Sequence, residues 1–234
     1  MTGSGARASW LQAPLLAAVP DLVHGFTGRD AGDAAAPGFG DRLAAAAGAG
    51  RTRFLHQVHG ARVARPEAPP ERPEADGWAG APPRGTLLGI LTADCLPVLL
   101  CHPPSGSLGA VHGGWRGLAA GVIPNTLKAL GAPADEIRAV LGPHIGPCCY
   151  QVDAPVRDAF GALPGGFAPW DAVPDRYRLD LAAVARAQLL AAGVRPEHLQ
   201  AVGGCTACEP DRYFSYRREG TTGRMCAFIG WGAR

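Results

Sequence analysis

One stretch constrains the chain more than any other: GTLLGILTADCLPVLLCHPPSGSLGAVHGGWRG, residues 85–117. Residues 87–91 and 97–101 are short, continuous apolar runs bounded by turn residues. They read as strands buried on both faces, although pattern alone also admits buried helix. PPSG is a hairpin-type turn, and residues 107–112 form the next strand. A chain with strands of this kind needs covering layers on both sides of a sheet.

The flanking sequence supplies them. Residues 118–130 carry apolar side chains at helical spacing and end at Gly131, with Pro124 predicting a kink or a late start. Residues 152–161 and 180–192 are helical patterns, the second with Asp180 as N-cap. Residues 138–141, 199–203 and 225–231 read as strands, and RFLHQVHGARVA has a strand-like start. Residues 31–50 are rich in Ala and Gly, loop first and short helix after. Six prolines in residues 64–85 predict an irregular Pro-rich surface loop. Strands and helices interleave with no repeat and no linker. The expectation is an α/β fold, a single domain over residues 1–234 with mixed β-sheets flanked by helices.

Composition narrows the function classes. Apolar residues are 47%, and 33 Gly with 22 Pro among 234 residues fall just short of a low-complexity chain. A net charge of +2 gives no pull toward nucleic acid or an anionic membrane. No run of 18 apolar residues is present, so no transmembrane helix is expected. Gln12 and Pro14 interrupt the N-terminal apolar patch, which therefore does not read as a signal peptide. Seven cysteines, an odd number, fit a cytoplasmic protein with reduced thiols. A monomer is the default.

Three residues stand out chemically: His59 in QVHG, Cys95 in TADC and His112 in VHGGWRG. Each ends a short apolar or strand-like run, where a fold can aim a side chain into a shared cleft. Two imidazoles and a thiolate suit zinc, with a fourth position left for water or substrate. Their spacing, 36 and then 17 residues, matches no local zinc motif. Read alone, they also fit ordinary strand-end histidines and a small buried thiol. Arg116 could grip phosphate with its planar fork. Gln57 shares a strand face with His59 and is a candidate substrate contact. Asp94 is a candidate for orienting its neighbour Cys95 or substrate, and Arg217 and Arg218 are further basic candidates. His144, in a Gly/Pro loop, reads as structural. Cys205 and Cys208 have zinc spacing, but the adjacent pair Cys148 and Cys149 is poor ligand geometry, so packed thiols are expected there.

The blocks HGFTGR, LHQVHG, EADGW, LTADCLPVLL, VHGGWRGLAAGVI, LGPHIGPCCYQV, DL, CT and YFSYRREGTTGRM occur in the order found in the YfiH-like laccase-domain family. That family's older description is multicopper polyphenol oxidoreductase. The resemblance runs from His24 to Met225. It implies a zinc-dependent purine nucleoside phosphorylase that also deaminates adenosine. His59, Cys95 and His112 occupy the family's zinc and catalytic positions. It further implies small-molecule partners, a purine nucleoside (adenosine, inosine, guanosine or methylthioadenosine) and phosphate. The segment between HGFTGR and QVHG is shorter here than in many members, so no role is given to Arg29.

Two other chemistries compete. A metal-free Cys–His hydrolase would use Cys95 as nucleophile and His112 as base. Relatives connected to peptidoglycan quality control would suit such an enzyme in precursor editing. A copper polyphenol oxidase is disfavoured, because seven histidines with no His-x-His pair and only Met1 and Met225 make a poor copper set. Copper is thus the weaker cofactor expectation.

Overall fold

The computed structural model describes residues 10–161, 166–171 and 173–233. Two mixed sheets lie face to face, each covered on its outer side by helices. The first has order β1-β2-β14-β6-β3. Its strands are β1 (Trp10–Leu11), β2 (Leu22–Thr27), β14 (Met225–Trp231), β6 (Thr86–Thr92) and β3 (Arg51–Phe54). The second has order β13-β9-β7-β8-β5-β4. Here β13 is Leu199–Ala201, β9 Arg138–Leu141, β7 Leu96–His102, β8 Ser107–Gly113, β5 Gly77–Gly80 and β4 Val63–Ala64. A small antiparallel sheet joins β10 (Gln151–Asp153), β12 (Arg176–Leu179) and β11 (Phe167–Pro169). Parallel pairs β3–β6, β4–β5 and β9–β13 sit beside antiparallel neighbours, so the α/β class with mixed sheets holds.

The layering explains the continuous apolar runs. In β7, Leu99 and Cys101 enter the core between the sheets, while Val98 and Leu100 face the helical layer. In β14, Ala227 and Ile229 point inward and Cys226 and Phe228 outward. Side chains alternate with period two, and both faces demand apolar groups. The outer face of the second sheet is covered by α4 (Val122–Leu130) and α6 (Leu181–Ala191), through Val122, Ile123, Leu127, Leu181, Val184 and Leu189. The outer face of the first is covered by α2 (Phe39–Ala46), through Phe39 and Leu43. Short helices α1 (Pro14–Ala17), α3 (Trp115–Ala119), α5 (Ala154–Asp158) and α7 (Tyr216–Glu219) complete the set. Among the described residues, no helix is long and apolar enough to cross a membrane.

Several local readings change. The helix expected over 118–130 is two helices, separated at Gly121, whose φ of +83° is left-handed. Pro124 then falls in the first turn of α4, where its missing N–H has no intrahelical partner to lose. The pattern over 152–161 splits into β10 and α5, because Asp153 caps the helix and Pro155 opens it. Asp180 caps α6 as expected, accepting the Ala183 N–H at 2.9 Å.

Residues 64–85 need the largest correction. They are not an irregular surface loop throughout, because Gly77–Gly80 is a fully buried strand with Trp78 at 0% exposure. The Pro-rich part before it is held from below. The guanidinium of Arg53, buried on β3, donates to the carbonyls of Pro66, Ala68, Pro70 and Glu71 and lies 5.1 Å from the Trp78 ring. Proline density predicted backbone without ladder bonds. It did not foresee that an arginine collects the freed carbonyls.

Candidate functional site

At the sequence TADC the chain leaves β6 in one sheet and enters β7 in the other. Asp94 makes the crossing with φ +95°, and Cys95 stands half-buried at the mouth of β7. His112 lies opposite Pro97 in the β7–β8 ladder, on the same strand face as Leu108 and Ala110, so its ring enters the gap between the sheets. His59 sits in the loop between β3 and β4 with φ +61° and is exposed. The ligand atoms of His59, Cys95 and His112 all lie within 4.8 Å of one another. The two imidazole rings meet edge-on with centroids 4.8 Å apart.

Asp76 organises this cluster, and sequence reasoning gave it no role. Its backbone carbonyl accepts the His112 N–H at 2.8 Å, and its Oδ1 accepts His112 Nδ1–H at 2.8 Å. The same carboxylate takes backbone N–H bonds from Val58 (3.2 Å), His59 (2.9 Å) and Gly60 (2.7 Å). It thereby fixes the unusual backbone of His59 and leaves His112 with only Nε2 free. Asp76, the second of two acidic residues in EADGW, was the available signal. What could not be read was that β5 pairs with β8 and places Asp76 beside His112.

The electrostatics follow. Burial pushes the Cys95 thiol up, but His112 first and His59 second outweigh it and bring it down to about 6. Burial opposes charge on His112, yet the Cys95 thiolate and Asp76 raise it to about 9. Burial also pushes Asp76 up, and the hydrogen bonds from His112 and the Gly60 and Val58 amides hold it below the usual carboxylate range. Without a metal, these opposed shifts favour a Cys95 thiolate facing a His112 imidazolium braced by Asp76.

The sequence matches the family described as multi-copper polyphenol oxidoreductase laccase over residues 27–232. The chain belongs to this laccase-domain family. A purine nucleoside phosphorylase of Pseudomonas aeruginosa is 43% identical over 185 residues, covering 76% of this chain and 74% of that protein. One from Deinococcus radiodurans is 40% identical over 94% of this chain and 92% of its own length. The crystal structure of YlmD from Geobacillus stearothermophilus superposes with a TM-score of 0.80 at 31% identity, over 95% of this chain and 96% of that one.

The laccase-domain name raises the question of copper. Among the described residues, only two imidazoles converge at the site. His24 accepts the Ala13 N–H, His102 bonds Ser105 and Glu136, and His144 bonds the Gly142 carbonyl. The sulfur of Met225, the one methionine among the described residues, already accepts the Phe214 N–H at 3.1 Å, which leaves it a poor axial ligand for a blue-copper set. The donors do suit one borderline-soft ion, and room for it exists. A Cβ placed on Gly114 would lie 3.0 Å from His59 Cδ2 and 3.3 Å from Cys95 Sγ, so glycine there keeps the cradle clear.

The remaining sequence candidates divide. Gln57 turns onto its own scaffold: its amide donates to the Leu91 carbonyl and accepts the Leu91 N–H, both at 2.8 Å, extending the β3–β6 ladder. Asp94 is buried and engaged by Thr206 Oγ1 and the Arg217 N–H, both at 2.6 Å. Arg217 bonds the carbonyls of Cys149 and Gln151, and Arg218 those of Thr206, Ala207 and Tyr213. Arg29 pairs with Glu219 and lies 4.4 Å from the Phe214 ring. Arg116 differs. It is exposed on α3, four residues past His112, stacked 4.4 Å over Trp115, and no carboxylate among the described residues pairs with it. Tyr150 is a further neighbour. Burial raises its phenol, and Cys95, Arg217, Asp94 and Arg116 all act on it electrostatically.

Proposed function

We propose that this laccase-domain protein is an enzyme of the purine nucleoside phosphorylase kind, with a zinc ion held by His59, Cys95 and His112. The observation that carries the reading is the convergence of two imidazoles and a thiolate on a cradle that Gly114 leaves open. The names of the relatives support a purine nucleoside and inorganic phosphate as substrates. Adenosine, inosine, guanosine and methylthioadenosine are the candidates, and adenosine deamination is the second activity.

Phosphorolysis breaks the bond between C1′ and the purine nitrogen and forms one between C1′ and a phosphate oxygen, while the leaving base gains a proton. Positive charge develops on the ribose, so positioning and charge stabilisation dominate. Bound zinc would supply Lewis-acid polarisation of an oxygen and, for deamination, a water acidified toward neutral pH. Asp76 keeps His112 in the tautomer whose Nε2 lone pair faces the cradle. Asp94 positions the segment bearing Cys95 against residues 206–217. Arg116 offers an uncommitted guanidinium for phosphate. Gln57 holds β6 through Leu91, which leaves its amide committed to the scaffold.

A second reading rests on a specific observation. Cys95, His112 and Asp76 form a thiol–imidazole–carboxylate series, with Cys95 brought down to about 6. A metal-free hydrolase would use the same three groups.

The test is to incubate zinc-quantified protein with adenosine, with and without phosphate, and follow adenine and inosine. Phosphate-dependent adenine release is expected, with inosine forming without phosphate. Arg116→Ala should raise KM for phosphate about tenfold or more, the worth of about 1.5–3 kcal/mol for a charged hydrogen bond. Full phosphate-dependent activity after complete chelation would remove zinc from this reading, and only phosphate-independent cleavage that survives chelation would select the metal-free hydrolase.

A further inference from the structure

We infer a second metal centre, a closed structural zinc site formed by Cys148, Cys149, Cys205 and Cys208. All four sulfurs lie within 4.8 Å of one another. Cys208 Sγ is 3.6 Å from that of Cys148 and 3.4 Å from that of Cys149. Tetrahedral zinc with Zn–S bonds of about 2.3 Å places its sulfurs about 3.8 Å apart. The fold has thus brought four thiols to nearly the spacing of one ion.

The adjacent pair, which spacing alone disfavoured, works because of a turn. The N–H groups of Cys149 and Tyr150 both donate to the Gly146 carbonyl, at 3.0 Å each. On such helical backbone, successive side chains diverge by about 100°, and the two sulfurs reach Cys208 from different sides. Cys205 and Cys208 close a second turn, with the Cys208 and Glu209 N–H groups on the Cys205 carbonyl, at 3.1 Å each. The Gly146 N–H points at Cys205 Sγ, 3.2 Å away. A Cβ on Gly146 would sit 3.2 Å from Cys148 Sγ, so glycine permits the approach. Four thiolates around one Zn²⁺ carry net negative charge. Arg217 and Arg218 offset it, their guanidiniums resting on carbonyls of Cys149, Gln151, Thr206 and Ala207.

Four protein ligands leave no position for substrate, so the role is structural. The centre would clamp the segment around 144–149 to that around 204–208. These already meet at a His144–Cys205 bridge and through Thr206 N–H on the His144 carbonyl. Thr206 in turn holds Asp94 next to Cys95. The second centre therefore braces the first.

The experiment is metal counting on full-length protein reconstituted with zinc under reducing conditions. Two zinc ions per chain are expected. Cys95→Ser should keep the second ion, and the Cys148→Ser/Cys208→Ser double variant should keep only the first. Both replaced thiols are exposed, so serine leaves the core intact. Cobalt substitution gives a readout independent of activity: four-thiolate charge-transfer bands should survive in Cys95→Ser and vanish in the double variant. One zinc per chain that disappears with Cys95→Ser overturns the inference. So does a Cys149–Cys208 disulfide that persists in zinc-loaded protein.

Discussion

Asp76→Asn removes an acceptor from a carboxylate that has none spare. Oδ1 takes the His59 N–H and His112 Nδ1–H, and Oδ2 takes the N–H groups of Val58 and Gly60. Asn keeps one oxygen and replaces the other by a donor-only NH₂. On the Oδ2 side the Val58 and Gly60 N–H groups lose their acceptor; on the Oδ1 side the His59 N–H loses its acceptor, and His112 keeps a partner only by shifting its proton to Nε2. At about 1–3 kcal/mol for each donor left unsatisfied, with the part-buried Val58, His59 and Gly60 amides at the low end, the variant should lose about 1–4 kcal/mol of folding stability. That is a large part of the total of about 5–15 kcal/mol for an ordinary domain. If NH₂ takes the Oδ1 side, His112 must carry its proton on Nε2 and can no longer ligate. Zinc affinity should therefore fall about 10–100-fold. Urea unfolding of the metal-stripped protein measures the first effect, and competition with a chromophoric chelator the second. A variant whose stability stays within about 0.5 kcal/mol of the parent and whose zinc affinity is unchanged refutes the assigned role of Asp76.

Gly114→Ala tests the cradle. Its backbone, φ −69° and ψ 158°, suits alanine, so only the new methyl near His59 and Cys95 matters. The methyl must push the His59 ring or the Cys95 sulfur aside, an overpacking cost of about 1–3 kcal/mol that predicts zinc affinity lower by about tenfold or more; unaltered affinity would count against the site. Gln57→Leu should cost about 1–3 kcal/mol for two lost hydrogen bonds and leave KM for nucleoside unaffected. Raised KM with unchanged stability would return Gln57 to substrate. His24, buried on β2 with Nε2 accepting the Ala13 N–H, is pushed below its ordinary value by burial. The unfolded chain therefore takes up the proton first, and stability should fall as pH drops below about 6.5. His144, also lowered by burial, adds to the same slope. Urea midpoints across pH 5–7 should show a flatter dependence in His24→Gln, and identical slopes would reject this account.

Local sequence carried the layering. The strand readings over 97–101 and 107–112 follow from apolar density and turn residues, which act within a few positions of themselves. The donor chemistry was equally local, since a cysteine and two histidines at strand ends announce metal or nucleophilic work wherever they lie. Tertiary structure decided which groups meet and which are already spent. Gln57 and Asp94 have reactive-looking side chains, but their hydrogen bonds go to Leu91 in one case and to Thr206 and Arg217 in the other. Asp76 reaches His112 across 36 residues because β5 lies against β8, and four cysteines converge because two turns pack together. Periodicity and turn chemistry are properties of neighbours along the chain. Strand register and turn packing are set by burial across the whole molecule, and they determine which polar group each donor finds.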